Sequence, residues 1–239
     1  MKYFFTLLVL CTLAVSAQSQ IWFEAGVKGA YGPTVLLDKN VFDSGNYKHK
    51  ISTGHAIGGR LGVNFGYHAG FAVEYLAANS KQEFNLDGRL HTTYKWKHSD
   101  LLVLFRYAGN GAYVEVGGKY SNLGDVTRET KPADPDVDGD VSDIFEKNYT
   151  SGVLGFGSYL LGNDLLAVNL GIRIHYAFTD IITPAGKDNF YPAASDINNP
   201  DPDAKTLAAA AQLQLEVNYA FGRFSKTACH DRWKLILFQ

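Results

Sequence analysis

Eight stretches of the chain alternate apolar and polar residues with a period of two, the mark of strands that bury one face. The first runs from Ile21 to Gly32, with Phe23, Ala25, Val27, Gly29 and Tyr31 opposite Glu24, Gly26 and Lys28. In the second, Ile57, Leu61, Val63, Phe65 and Tyr67 oppose Arg60 and Asn64; in the third, Phe71, Val73, Tyr75 and Ala77 oppose Glu74. The fourth ends with Leu101, Val103, Phe105 and Tyr107 against Arg106, and the fifth sets Val114, Val116 and Tyr120 against Glu115 and Lys119. The sixth carries Leu154, Phe156 and Leu160. The seventh sets every second residue from Leu166 to Phe178 against Asn169, Arg173 and His175. The eighth sets Leu207, Leu213, Leu215, Val217, Tyr219 and Phe221 against Gln212, Gln214, Glu216 and Asn218.

No apolar face among them carries a charge, while the opposite faces hold Glu, Lys and Arg. One Lys or Arg on the lipid side of a membrane barrel costs about 2–4 kcal/mol at the midplane, so selection empties that face. The pattern therefore predicts an all-β fold: an eight-stranded antiparallel up-and-down transmembrane β-barrel. A soluble lipocalin-like barrel, read inside out, shares the alternation. It does not account for the aromatic residues at both ends of the apolar faces.

Connections alternate in length. Long polar stretches span Pro33–Thr53, Leu123–Lys147 and Asp180–Lys205, whereas His68–Gly70, Ala108–Gly111 and Gly162–Asn163 read as tight turns. Asp87-Gly88 is a two-residue hairpin signal. Outer-membrane barrels show this asymmetry, with short periplasmic turns and longer outer loops. The even strand number then puts both termini in the periplasm of a bacterial cell. In that orientation Phe23, Tyr67, Phe71, Tyr107, Tyr219 and Phe221 form an inner aromatic girdle, and Tyr31, Tyr120, Tyr176 and Phe178 an outer one. The pattern falters in the fourth strand. Its register turns Lys95 and Lys97 outward and Tyr94 and Trp96 inward, which predicts a β-bulge between His98 and Asp100, or a strand half that stands above the membrane.

Residues 1–17 read as a cleaved secretory signal: Lys2, an apolar run from Tyr3 to Val15, then the small pair Ser16-Ala17, with Ser19 as second choice for the cut. Residues 18–222 form the barrel and 223–239 a periplasmic tail. The apolar run is shorter than the roughly 20 residues of a spanning helix. Leu8-Val9-Leu10 before Cys11 is not a lipid-attachment signal, and removing the leader leaves Cys229 alone, without an intramolecular disulfide partner. The net charge of -2 argues against a polyanion-binding surface, and no nucleic acid is expected as a partner.

An eight-stranded barrel is only wide enough for its own side chains. Glu24, Glu74, Glu115 and Glu216 against Lys28, Arg60, Arg106, Lys119 and Arg173 therefore predict a paired network that plugs the lumen. Asp134, Asp136, Asp138 and Asp140, with Gly139, have the alternating carboxylates of a calcium loop, although Phe145 stands where the last ligand belongs. Calcium is the only cofactor suggested. No Ser, His and Asp group has the spacing of a triad, and only folding can assemble one. The chain thus reads as a structural or interaction protein. A transport or pore protein and a membrane-embedded enzyme are the alternatives.

The segments Asp100-Leu-Leu-Val-Leu-Phe-Arg-Tyr107, Gly111-Ala-Tyr-Val-Glu-Val-Gly-Gly-Lys-Tyr120 and Gly171-Ile-Arg-Ile-His-Tyr-Ala-Phe-Thr-Asp-Ile181 resemble the PorT-like outer-membrane β-barrel family. Leu102 stands where that family commonly has proline. The resemblance implies a small OmpA-like barrel embedded in outer-membrane lipid, some relatives of which serve type IX secretion, and it brings no catalytic residues. Partners would be envelope or secretion proteins met through the loops or tail. Tyr219-Ala-Phe221 resembles a terminal assembly signal, yet Trp233-Lys-Leu-Ile-Leu-Phe238 follows it. That segment can dock on the periplasmic rim, extend the sheet or bind a partner.

Overall fold

The computed structural model describes residues 21–43, 47–66, 68–86, 90–133, 135, 138–163, 165–189, 191–192, 201, 203–226 and 233–237. The signal sequence, Tyr67, the Asp87-Gly88 turn, Asp134 and Asp136 lie outside them.

Period-two alternation becomes strand wherever it was legible. The strands are β1 (Ile21–Asp38), β2 (Tyr47–Lys50), β3 (Ser52–Phe65), β4 (Ala69–Leu86), β5 (Leu90–Gly109), β6 (Ala112–Lys131), β7 (Gly139–Asp140), β8 (Asn148–Gly162), β9 (Leu166–Ala177), β10 (Thr206–Lys226) and β11 (Trp233–Leu237). Eight of them, β1, β3, β4, β5, β6, β8, β9 and β10, pair in sequence order, and β10 pairs back to β1 antiparallel. The sheet is therefore a closed up-and-down barrel. Asn110 at φ 52° and Gly111 at φ 79° join β5 to β6, the two positive φ values that a tight hairpin turn requires. At the β8 to β9 turn, Asn163 Oδ1 accepts from the amides of Leu165 and Leu166.

β5 and β6 are each 20 residues long, about twice the 9–11 that a tilted strand needs to cross a bilayer. Their upper halves stand outside it. Pro33 to Asp38 and Leu123 to Lys131, expected as loop, are the continuing ends of β1 and β6. Water surrounds the strands at that height, so the outer face there becomes polar and the lipid pattern stops while the pairing goes on.

The bulge is displaced from its expected place. β4 pairs with β5 without a break from Ala69 and Tyr107 to Leu86 and Leu90. The irregularity lies between β5 and β6, where His98 faces Leu123 and Trp96 faces Val126. Gly124 and Asp125 of β6 thus stand against one residue of β5, and the inward set of β6 passes from Glu115, Lys119 and Ser121 to Val126, Arg128 and Thr130. β5 itself keeps phase. Lys95 and Lys97 point outward above the bilayer, where Glu129 pairs with Lys95.

Tyr94 and Trp96 point inward into an apolar cap. With them pack Leu36, Val41, Phe84, Val126, Phe145, Tyr149, Ile181 and Ile182. Phe145 and Ile182, apolar residues inside two polar loops, form a β-bridge. Helix α1 (Lys39–Asp43) adds Val41, and helix α2 (Pro184–Asp188) follows Ile182, with the hydroxyl of Thr183 capping its first turn. At the end of the barrel opposite the cap, β11 pairs with Gly222 to Lys226 of β10, so the tail extends the sheet.

Candidate functional site

The outer wall of the barrel is an uninterrupted belt of exposed apolar side chains, among them Val27, Ile57, Leu61, Val103, Val116, Ile172 and Leu215. Aromatic residues edge it. Tyr31, Tyr120, Tyr176 and Phe178 are exposed at one end, and Phe71, Tyr107 and Tyr219 at the other. At that second edge Phe23 stacks on Phe221 with ring centroids 6.1 Å apart. No helix among the described residues is long and apolar enough to cross a membrane; a barrel crosses with strands.

Inside, β1, β3, β4, β5, β6, β9 and β10 each send a charge to one level. Arg106 bridges two acids, donating from Nε to Glu115 at 2.9 Å and from Nη1 to Glu216 at 2.9 Å. Arg60 reaches Glu24 at 3.1 Å, Glu74 at 3.1 Å and Glu115 at 3.2 Å. Arg173 donates to Glu74 and Glu115, both at 2.6 Å. Lys28 joins Glu74 at 2.6 Å and Glu216 at 2.7 Å. The remaining barrel strand, β8, supplies Gly155, where a Cβ would press on the Glu115 carboxylate. Its missing side chain leaves room for the guanidinium groups.

Four acids here meet four bases, and every one of these side chains is buried. Carboxylate oxygens of Glu74, Glu115 and Glu216 lie within 4.8 Å of one another, close enough for a divalent cation to bridge. The three arginines and Lys28 already occupy that position and neutralise it. The cluster is a set of ion pairs, and its donors do not fit a metal centre.

Lys119, expected in this cluster, stands apart. Its ammonium lies 3.3 Å from Asp100, a residue the alternation had marked only as the edge of a bulge. Asp100 also accepts from Ser121 Oγ at 2.6 Å, and its Oδ1 lies 2.7 Å from Nδ1 of His98. Ser80 Oγ lies 3.1 Å from Nε2 of the same ring. Ser80, His98 and Asp100 come from β4 and β5, and the pairing of Ala78 with His98 places them side by side. Only the inward phase shared by positions 80, 98 and 100 foreshadows this.

Between the charge cluster and the cap lies a cavity of about 30 Å³, lined by Ser80, His98, Asp100, Lys119, Ser151 and His175 among others. Both ring nitrogens of His175 and the hydroxyl of Ser151 are buried there without a hydrogen-bond partner among the described residues. Of the acidic loop, Asp140 accepts from the amide and hydroxyl of Ser142.

The closed pairing and the apolar belt define this chain as a small eight-stranded antiparallel membrane barrel with a filled lumen. No family model and no curated protein matches it. Among solved structures it is similar to Neisserial surface protein A, at 13% identity over 83% of this chain and 97% of that one, with a TM-score of 0.43. It is also similar to OprG from Pseudomonas aeruginosa, at 15% identity over 87% and 98%, with a TM-score of 0.44. Ail, the attachment invasion locus protein of Yersinia pestis, matches at 10% identity over 83% and 98%, with a TM-score of 0.39.

Proposed function

We propose that this chain is an integral protein of the bacterial outer membrane, with both termini periplasmic, that works as a closed platform and does not pass solute. The neutral cluster of Glu24, Glu74, Glu115 and Glu216 with Lys28, Arg60, Arg106 and Arg173 carries this reading. An ion entering the lumen would have to displace groups that hold one another in a low-dielectric interior. The apolar cap then closes the outer end a second time. Planar bilayers holding the refolded full chain should show no steady current. Reproducible single-channel steps from the pure protein would overturn this reading and favour a pore.

A platform acts through what it presents. The outer cap built from the long loops and the β10–β11 ribbon below the membrane are the surfaces for partners. The PorT-like segments support envelope or secretion proteins as those partners. Crosslinking from the cap and from the ribbon in intact cells, followed by identification of the adducts, tests this. Calcium at Asp134, Asp136, Asp138 and Asp140 belongs to the same proposal, and calorimetry of the whole protein at millimolar calcium tests it.

A further inference from the structure

We propose that a hollow on the outer wall at Lys97 holds the phosphorylated sugar headgroup of an outer-leaflet glycolipid, whose acyl chains lie on the apolar belt directly beneath it. The proposal rests on the outer-membrane reading above and names one lipid site on that wall.

The level of the hollow comes from strand register. Leu101 of β5 pairs with Tyr120 of the outer girdle, so this pair marks the upper edge of the belt. Ser99 and Lys97 are the next two outward positions of β5. At about 3.3 Å a residue they lie about 7 and 13 Å further along the strand, or about 5 and 10 Å higher on a strand tilted by about 40°. A leaflet's headgroup layer is about 5–8 Å thick. Ser99 therefore stands within that layer and Lys97 at its upper margin. Asn79 of β4 pairs with Lys97, and Asn122 of β6 with Ser99, so three strands supply polar groups at this level.

These four residues line one open hollow of about 440 Å³, within the range of about 300–1,000 Å³ for ligand clefts. The β6 bulge shapes its far side. Gly124 in that bulge has no side chain, and a Cβ there would meet the Lys97 carbonyl at 3.3 Å and fill the space beside its stem.

Charge selects the guest. Lys81 and Lys50 both pair with Glu83, at 2.6 and 2.9 Å, and Lys95 pairs with Glu129. Among the described residues Lys97 has no carboxylate partner; Asp125, across the bulge, is exposed and forms no ion pair with it. The wall thus offers one unneutralised ammonium at headgroup height, with the Ser99 hydroxyl and the Asn122 amide beside it. A lysine binds phosphate as a point charge. Asn79 Nδ2 lies 3.1 Å from Nε2 of His55, and donating to that nitrogen fixes the amide and leaves its oxygen and second N–H for sugar hydroxyls. A lipid brings these groups to the right height because the belt below holds its chains.

The test uses the refolded full chain in nanodiscs of phosphatidylcholine doped with diphosphorylated lipid A. Acylation of lysine amines, mapped by mass spectrometry, should be slower at Lys97 by about fivefold than in undoped discs, the equivalent of about 1 kcal/mol for one lysine at an anionic lipid surface. The same glycolipid stripped of phosphate, and inorganic phosphate added to undoped discs, should give no protection. Lys97→Gln should lower retention of the lipid in native mass spectra by a similar factor. Gly124→Val should do the same with the charge in place, whereas Lys95→Gln should not. Equal protection with the stripped glycolipid, protection by inorganic phosphate, or unchanged retention in both Lys97→Gln and Gly124→Val would overturn the proposal. Mapping on the wild type needs no variant. A barrel that shows heat-modifiable migration but leaves Lys97 unprotected defeats this site and spares the outer-membrane reading; a chain that stays soluble without detergent defeats both.

Discussion

The lumen and the cap close the same barrel by opposite means. In the lumen, charged groups from seven strands neutralise one another at one level, and β8 contributes only the space of Gly155. In the cap, Phe84, Tyr94, Trp96, Val126, Phe145, Ile181 and Ile182 bury apolar surface as in a soluble protein. The difference follows from what surrounds each. Within the bilayer the apolar side chains are drawn to the lipid, so the interior receives the polar ones and must pair them. Above the bilayer the same strands stand in water, and the preference reverses.

The largest effect should come from breaking a lumen pair. Arg173→Met leaves Glu74 and Glu115 buried with fewer partners, and removing one member of a buried ion pair costs about 3–5 kcal/mol. Urea unfolding of the refolded barrel in detergent should show a loss of that size. Glu74→Gln added to Arg173→Met should recover part of it, and a single-variant loss below about 1 kcal/mol would mean that the cluster tolerates solvent. In the cap, Ile182→Ala removes buried aliphatic volume, for which about 2–4 kcal/mol is expected. Its effect should be local: amides of Tyr94, Trp96 and Val126 lose protection from hydrogen exchange, while the barrel keeps its heat-modifiable migration. Loss of that migration would show that cap and lumen fold as one unit.

Smaller effects probe the rims. Gly111→Ala forces a Cβ into left-handed backbone at φ 79°, at a cost of about 1 kcal/mol, readable as a slower refolding yield and a lower urea midpoint. Least of all is the contact of Lys39 with Asp201 at 3.0 Å, which ties α1 to the last long loop. The hydrogen bond from the Lys39 ammonium holds the Asp201 carboxyl below its ordinary value and raises that of Lys39. A depressed carboxylate adds stability above its unfolded-state pKa and loses it as pH falls through the folded one. A raised lysine adds stability below its unfolded-state pKa and loses it as pH rises through the folded one. Hydrogen exchange at Val41 should therefore be slowest between the acid and alkaline limits, and Asp201→Asn should flatten that profile.

Most of the barrel was legible because lipid imposes one rule along every strand. Outward Val27, Ile57 and Leu215 and inward Glu24, Arg60 and Arg173 follow from that rule alone. The cap was not legible, because Phe145, Ile181 and Ile182 are isolated apolar residues in polar stretches and gain meaning only from the partners that reach them. The bulge was misplaced for a related reason. The irregular residues were sought in β5, whose phase is continuous, whereas the extra residue sits in β6.

The sequence by itself determined the strand phase within the membrane, the charge-free belt and the inward placement of Glu24, Arg60 and Arg173, since each depends on a residue's own affinity for lipid or for charge. Tertiary structure alone decided who pairs with whom. It set Lys119 against Asp100, and Ser80 and His98 into one hydrogen-bonded line with that aspartate. Those contacts join different strands, and their distances depend on register and barrel closure, which no single stretch of sequence contains.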